Sequence, residues 1–139
     1  MIWYILRNYI LYKRKTRVSI EKLSLHVFFN FYVTNQKFSL RQENEIVNRV
    51  GKLITILPGK KEENLMLHIE DNQILYFRGT DVPCMMIEVK LYKNIEFEAK
   101  KKFTEELVNI INDIAAIEVK DIYVSFDEYQ NWGKQGTLI

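Results

Sequence analysis

Four segments of the chain have the residue pattern of β-strands. His26–Val33 is rich in aromatic and β-branched residues, which predicts a strand. In Asn64–Asp71, Leu65, Leu67 and Ile69 alternate with Met66, His68 and Glu70, which is typical of a strand with one buried face. Cys84–Tyr92 and Asp121–Glu128 predict two further strands.

Two segments between these strands have the periodicity of amphipathic helices. Ser39 and Gln42 stand at the spacing of a capping box and predict the start of the first helix. Pro58 and Gly59 should end it. Its predicted buried positions are Ile46, Val50, Leu53 and Leu57. Asn94 is predicted to cap the second helix. The buried face of that helix is predicted at Phe97, Phe103, Leu107, Ile110 and Ile114.

The remaining segments are short. ILYFRG predicts a short strand or a turn, and the tail NWGKQGTLI predicts a turn with a short pairing segment. The resulting order is β-α-β-β-α-β, in which the second half repeats the outline of the first. Right-handed crossovers then give an α+β fold with a four-stranded mixed sheet and both helices on one face. The opposite face should carry apolar and aromatic side chains, which indicates oligomerisation.

Charge separates the front of the chain from its body. The chain has 139 residues, enough for one domain, and its net charge is +2. Residues 1–26 carry six basic residues against Glu21 alone, a net of +5. We therefore divide the chain into a basic and aromatic extension, 1–25, and a domain, 26–139. The extension is either an added segment or the result of a misplaced start in the gene model.

Several classes of function are excluded or disfavoured by composition. A net charge of +2 gives no reason to expect nucleic acid as a partner. The single cysteine, Cys84, excludes a disulfide framework within one chain, and the two histidines lack metal-ligand spacing. We expect no metal and no cofactor, and a cytoplasmic location with leaderless secretion as the alternative. No stretch is long enough to span a membrane, and membrane-surface association through residues 1–17 is a disfavoured hypothesis.

The run LPGKKEENLMLHIEDNQILYFRG, followed by VPCMMIEVKLY and later by DIYVSFDEYQNWG, resembles the macrophage migration inhibitory factor family of the tautomerase superfamily. The likeness is closest to bacterial members and covers roughly Val27 to Gly133. It implies a homotrimer in which three four-stranded sheets line a central barrel. It also implies keto–enol tautomerisation of small aromatic acids such as phenylpyruvate, with an N-terminal proline as the base.

The resemblance assigns roles to individual residues. Lys60, in LPGK, would bind the substrate carboxylate or the developing enolate. Tyr123 would enter the pocket of a neighbouring subunit, and Ser125 stands where some members have asparagine. Tyr92 would lie near a pocket backbone position, and Trp132 would lie at the pocket rim. Cys84 aligns with the first cysteine of a CxxC motif that this chain lacks, and it is better interpreted as a buried apolar residue.

The proline base is absent from this sequence. Its position falls on Val27 or Phe28, and the only prolines are Pro58 and Pro83. A nitrogen inside the chain is also an amide, which is not a useful base at neutral pH. The family chemistry is that of an isomerase, but this chain's own activity is therefore in doubt. The alternative is a non-enzymatic trimeric binding or signalling protein. His26 is a candidate replacement base, although an ordinary surface histidine is the simpler interpretation.

Overall fold

The order of secondary structure agrees with the β-α-β-β-α-β prediction. The computed structural model describes residues 1–3, 5–7 and 28–139. The main strands and helices, in chain order, are β1 (Phe28–Thr34), α1 (Leu40–Leu53), β2 (Leu65–Glu70), β3 (Met85–Tyr92), α2 (Phe97–Ala115) and β4 (Ile122–Tyr129). The tail forms a hairpin of β5 (Gly133–Lys134) and β6 (Thr137–Leu138), as the turn-and-pairing prediction required.

The four long strands form one mixed sheet in the order β2-β1-β3-β4. β1 runs parallel to β2 and antiparallel to β3, while β3 runs parallel to β4. In each parallel pair, the two strands are connected along the chain by one of the long helices, as the predicted βαβ units require. The two halves therefore meet along the central pair of β1 and β3.

Both long helices pack on the same face of this sheet. Alternate side chains of β1 and β3 point into a core that also contains the apolar sides of α1 and α2. Helix α1 contributes Ile46 and Val50, both fully buried, as predicted. The other fully buried hydrophobic side chains of the long strands and helices are Phe28, Tyr32, Ile87, Val89, Leu91, Phe103, Leu107 and Ile111.

Helix α1 begins as predicted and ends through a tighter turn. The Ser39 side chain accepts a hydrogen bond from the backbone N–H of Gln42, and the Gln42 side chain accepts one from the backbone N–H of Ser39. This reciprocal pair satisfies two amides that lack intrahelical partners. The α-helix stops at Leu53, a 3-10 turn follows over Ile54–Ile56, and Gly59 has a positive φ of 73°.

The start of helix α2 differs from the prediction. The N-cap is Glu96 and not Asn94, and no side chain caps the helix. The first residue, Phe97, is 71% exposed, so its assignment to the buried face was wrong. Sequence spacing placed Phe97 in line with the apolar stripe, but the first turn of α2 extends past the core. Val108 and Ile111 are buried, whereas Ile110 and Ile114 are only partly buried.

The end of β1 is fixed by side-chain hydrogen bonds to the segment before β3. The Thr34 hydroxyl donates to the carbonyl of Cys84 at 2.7 Å. The Asn35 amide group donates to the carbonyls of Leu75 at 3.1 Å and Val82 at 2.7 Å, and its oxygen accepts from the Cys84 N–H at 3.1 Å. The side chain of this one asparagine thus satisfies several backbone polar groups of an irregular segment.

The face of the sheet opposite the helices is more mixed than predicted. Phe29 and Phe31 stack with ring centroids 6.4 Å apart, and Phe31 stacks on His68 at 5.1 Å. These aromatic residues share the face with charged side chains, among them Lys90, whose ammonium lies 3.2 Å from Asp127. We call this surface, which lies opposite α1 and α2, the open face.

Candidate functional site

The start of β1 is where the resemblance places a catalytic base. Phe28 is the first residue of β1 and is 1% exposed. Its backbone pairs with Leu65 of β2 and Leu91 of β3, so its side chain is part of the core. Val27 and His26, the other positions considered for a base, lie outside the described residues. A buried phenyl ring provides no group that can accept a proton.

Lys60 lies in the turn that follows α1. Its backbone N–H donates to the carbonyl of Leu57 at 3.0 Å, which closes the turn. The side chain is 5% exposed, which is rare for lysine, and its ammonium donates to the carbonyl of Tyr92 at 3.3 Å. The structure therefore brings together Lys60 and the backbone of Tyr92, two of the positions that the sequence analysis had assigned to one site.

The electrostatic environment of Lys60 is unusual. Burial and the nearby charge of Lys134 lower the pKa of Lys60 from its ordinary 10.5 to about 8. Burial disfavours the charged form because the ammonium loses hydration, and a like charge acts in the same direction. An anion placed beside Lys60 would favour the charged form, so this amine is suited to bind a carboxylate.

An open cavity of about 550 Å³ lies between the start of β1 and the tail hairpin. Phe29 from β1 and Trp132 from the tail contribute aromatic rings to its wall, whereas Phe28, whose ring packs in the core, borders it at the start of β1. Trp132 packs edge-on against Tyr129, with ring centroids 5.7 Å apart. The full set of lining residues is Phe28, Phe29, Glu63, Asn64, Leu65, Met66, Lys90, Trp132, Gly133 and Lys134. Its size and lining suit a small aromatic ligand.

Lys134 was not identified from the sequence. Its ammonium donates to the side-chain oxygen of Asn64 at 2.7 Å, which joins the tail hairpin to the start of β2. The two residues are far apart in the chain, so no local pattern connects them. The only signal was a lysine two positions after Trp132 in a tail already assigned to the pocket rim.

Tyr123 and Ser125 do not line this cavity. Both lie on the open face, on strand β4, and Tyr123 is 59% exposed. The ring of Phe77 meets Tyr123 edge-on at 4.9 Å. Their predicted role belongs to a neighbouring subunit and stays a prediction.

The other candidates have ordinary surroundings. Cys84 is 2% exposed, and burial raises the pKa of its thiol, which agrees with a buried apolar residue. Within the described ranges, no three His, Cys, Asp or Glu side chains are grouped so that they could hold a metal ion. In the same part of the chain, no helix has both the length and the hydrophobicity that crossing a bilayer needs.

Comparison with known proteins agrees with this architecture. Residues 29–139 match the family model for macrophage migration inhibitory factor (MIF). A comparison with curated protein sequences found no match.

Solved structures in the same fold are numerous. MIF2 of Leishmania major has a TM-score of 0.76 at 19% identity, and the match covers 82% of this chain and 98% of that one. A macrophage migration inhibitory factor homologue of Prochlorococcus marinus has a TM-score of 0.71 at 20% identity, covering 79% and 97%. Pt0534, in a structure inactivated by 2-oxo-3-pentynoate, has a TM-score of 0.71 at 12% identity, covering 78% and 93%. At these identities the structural likeness shows the fold.

Proposed function

The chain belongs to the macrophage migration inhibitory factor family, and from that premise we propose that its cavity binds a small aromatic keto or enol acid without N-terminal-base catalysis. The observation that carries the proposal is the combination of an aromatic cavity with lysine ammonium groups. Phe29, Trp132 and Lys134 line the cavity, and Lys60, which is not among the lining residues, is a buried lysine whose pKa is lowered by burial and by the charge of Lys134. An aryl group would occupy the aromatic wall, and its carboxylate would be held by the positive charge.

The related structure inactivated by 2-oxo-3-pentynoate supports the ligand class. That compound is a 2-oxo acid that inactivated Pt0534. A 2-oxo acid with an aromatic substituent, such as phenylpyruvate, has the carboxylate and the ring that this cavity can hold. In this chain, Phe28 fills the start of β1 with an apolar ring, so a bound acid would meet no amine base there.

A homotrimer belongs to the same proposal. The open face carries exposed apolar groups, including Met66 at 69% and Tyr123 at 59% exposure. Three copies arranged around an axis would cover this face and bring Tyr123 of one subunit towards another subunit's cavity. Sedimentation velocity or native mass spectrometry should give a trimer, and a monomer at micromolar concentration would contradict this part.

The test of the ligand is calorimetric titration of phenylpyruvate together with an assay of its keto–enol exchange. We expect saturable binding, an exchange rate equal to that of buffer, and at least tenfold weaker binding in Lys60→Met. Lys101→Met is the matched control, because Lys101 is an exposed lysine on α2. Absence of binding would refute the ligand, and exchange above the buffer rate would refute the loss of catalysis.

A non-enzymatic binding or signalling protein remains the second hypothesis. It shares the trimer and the absence of turnover, and differs in that the trimer surface or the vestigial pocket engages a partner and not a small acid. Phenylpyruvate binding that depends on Lys60 favours the first hypothesis over this one.

A further inference from the structure

The described part of the extension exposes apolar side chains. The backbone N–H of Ile5 donates to the carbonyl of Met1 at 3.2 Å, and the described residues of 2–7 are helical. Four apolar side chains of this segment are between 52% and 84% exposed, namely Ile2, Trp3, Ile5 and Leu6. None of the four belongs to the hydrophobic core of the described domain. Single exposed apolar residues are common on protein surfaces, but four within one short helical segment indicate an interaction site.

These four side chains share one side of the helix. Ile2 is followed by Ile5 and Leu6 at spacings of three and four residues. Trp3 is followed by Leu6 at a spacing of three. Such spacings bring side chains to one face of an α-helix. The segment therefore presents an apolar surface that contains a tryptophan, a residue type enriched at the boundary between lipid headgroups and hydrocarbon.

Positive charge follows this apolar segment along the chain. Arg7 ends the described part, and the later basic residues lie outside the described residues. The sequence gives them as Lys13, Arg14, Lys15, Arg17 and Lys22. Residues 1–26 carry a net charge of +5 and the whole chain carries +2, so residues 27–139 carry the difference, −3. The attraction of this chain to a negatively charged surface is therefore concentrated in the extension.

From these two features we propose that the extension binds the protein to an anionic lipid surface. The apolar side chains of the described helix enter the boundary between headgroups and acyl chains, and the basic residues contact the acidic headgroups. Both features are needed, because stable attachment to a membrane surface takes two weak signals together. Sequence alone disfavoured this hypothesis, and the exposure of the apolar side chains is the observation that favours it.

A lipid surface fits these features better than the alternatives do. An acidic protein would satisfy the basic residues, but an anionic bilayer also offers a continuous apolar layer directly beneath its negative charge. The negatively charged domain of the same chain could attract the extension, yet the described apolar side chains are exposed and not packed in its core. The proposal does not depend on the cavity or on its ligand.

The test is co-sedimentation of the full chain with vesicles of phosphatidylcholine, alone or with about 30% phosphatidylserine. We expect binding to be at least about tenfold stronger with phosphatidylserine. Most of this binding should be lost at about 0.5 M salt, because salt screens the headgroup charge. Tryptophan emission should shift to shorter wavelength on vesicle addition in the wild type and not in Trp3→Phe.

Two variants of the extension separate its apolar contribution from its charge. Ile2→Ser combined with Leu6→Ser removes apolar side chains and should weaken vesicle binding at least about tenfold. Replacement of Lys13, Arg14 and Lys15 together by glutamine should also weaken it at least about tenfold, because each basic residue near an anionic surface adds to the affinity. Both variants should leave the thermal stability and the affinity for phenylpyruvate unchanged.

Matched controls come from the domain. Leu40→Ser combined with Phe97→Ser removes two similarly exposed apolar side chains. Lys52, Lys101 and Lys102 are exposed lysines of α1 and α2, and replacing all three by glutamine removes the same charge as the triple variant of the extension. Both controls should bind vesicles within about twofold of the wild type.

The remaining outcomes overturn the proposal in different ways. Equal binding to the two kinds of vesicle would remove the role of the basic residues. A control triple that weakens binding as much as the triple variant of the extension would place the attraction elsewhere on the surface. Absence of vesicle binding would refute the lipid surface outright, and a changed sedimentation coefficient in the extension variants would then assign the extension to contact between protein copies. None of these results bears on phenylpyruvate binding, so the proposed function would stand.

Discussion

The two ends of strand β1 differ in their surroundings: one is hydrogen-bonded and polar, and the other is apolar with a buried charge nearby. At its end, Thr34 and Asn35 hold the loop before β3 through hydrogen bonds in which each described polar group has a partner. At its start, Phe28 is buried among apolar residues, and the nearby Lys60 is a buried ammonium with a lowered pKa. The hydrogen bonds of Thr34 and Asn35 stabilise the fold. The buried Lys60 ammonium does not, because stability alone would favour an apolar group at that place.

This difference matters for the proposed function, because the start of β1 is where the family resemblance places the base. At the end of β1, Thr34 and Asn35 have a structural role that requires only their hydrogen bonds. At the other end, a phenyl ring stands at one of the two positions assigned to the base, and the buried Lys60 donates to the carbonyl of Tyr92, next to the Leu91 that pairs with Phe28. If the proposed function holds, these two positions would let the protein bind an acid without catalysing its exchange.

The strongest test of the comparison is Phe28→Ala. Phe28 is 1% exposed, so its truncation should lower the free energy of unfolding by about 4 kcal/mol, through lost burial and a new cavity. The neighbouring Phe29 points to the open face, and Phe29→Ala should cost about 1 kcal/mol. Urea denaturation of both variants measures the difference. Equal costs would mean that the start of β1 is not a core position.

Asn35→Ala examines the polar end. The substitution leaves several carbonyls and the Cys84 N–H without the partners they have now, and should cost about 3 kcal/mol. Asn131→Ala is the control, because Asn131 makes one exposed hydrogen bond at 3.4 Å and should lose less than about 0.5 kcal/mol. A small effect of Asn35→Ala on the free energy of unfolding would show that water replaces its hydrogen bonds. The hydrogen bonds at this end of β1 would then not be what stabilises the fold there.

Stability should depend on pH through Lys60. Its pKa is lowered on folding to about 8 from 10.5, so between these values the unfolded chain binds more protons. The unfavourable contribution of Lys60 is complete below pH 8 and is relieved as pH rises towards 10.5. Between pH 7 and pH 9.5, we expect the free energy of unfolding of the wild type to rise by about 2 kcal/mol relative to that of Lys60→Met. Parallel pH profiles for the two proteins would contradict this burial of charge.

The smallest expected effect is at Ser39. Ser39→Ala removes the capping box that follows the polar end of β1 and should cost about 1 kcal/mol. Ser39→Asp keeps an oxygen at the cap and should remain within about 0.5 kcal/mol of the wild type. Thermal denaturation monitored by circular dichroism resolves such a difference. An equal loss in both variants would assign the effect to something other than capping.

Local patterns predicted most of the fold because its signals lie within a few residues of one another. Ser39 and Gln42 are three positions apart, and the alternation of β2 lies within Leu65–Glu70. Asn94 and Phe97 were misassigned because a capping residue and an apolar spacing occurred next to the true start of α2. Where a helix leaves the core depends on tertiary packing, which the sequence pattern does not contain.

The candidate site was only partly accessible from sequence. Lys60, Tyr92 and Trp132 were assigned to the site by resemblance, but the burial of Lys60 could not be inferred from its neighbours in a loop of charged residues. The contact of Lys134 with Asn64 depends on how the tail folds back across the sheet. Residues that meet through such long-range contacts leave no local sequence signal.

The central pairing of β1 with β3 has a consequence for how the protein folds. Phe28 pairs with Leu65, 37 positions away, and with Leu91, 63 positions away. Each half of the chain contains only one of the two central strands, so neither half can complete the sheet on its own. Closing such long loops before any compensating contact forms is an entropic barrier. We therefore expect the two halves to fold in one cooperative step, more slowly than a helical domain of equal length.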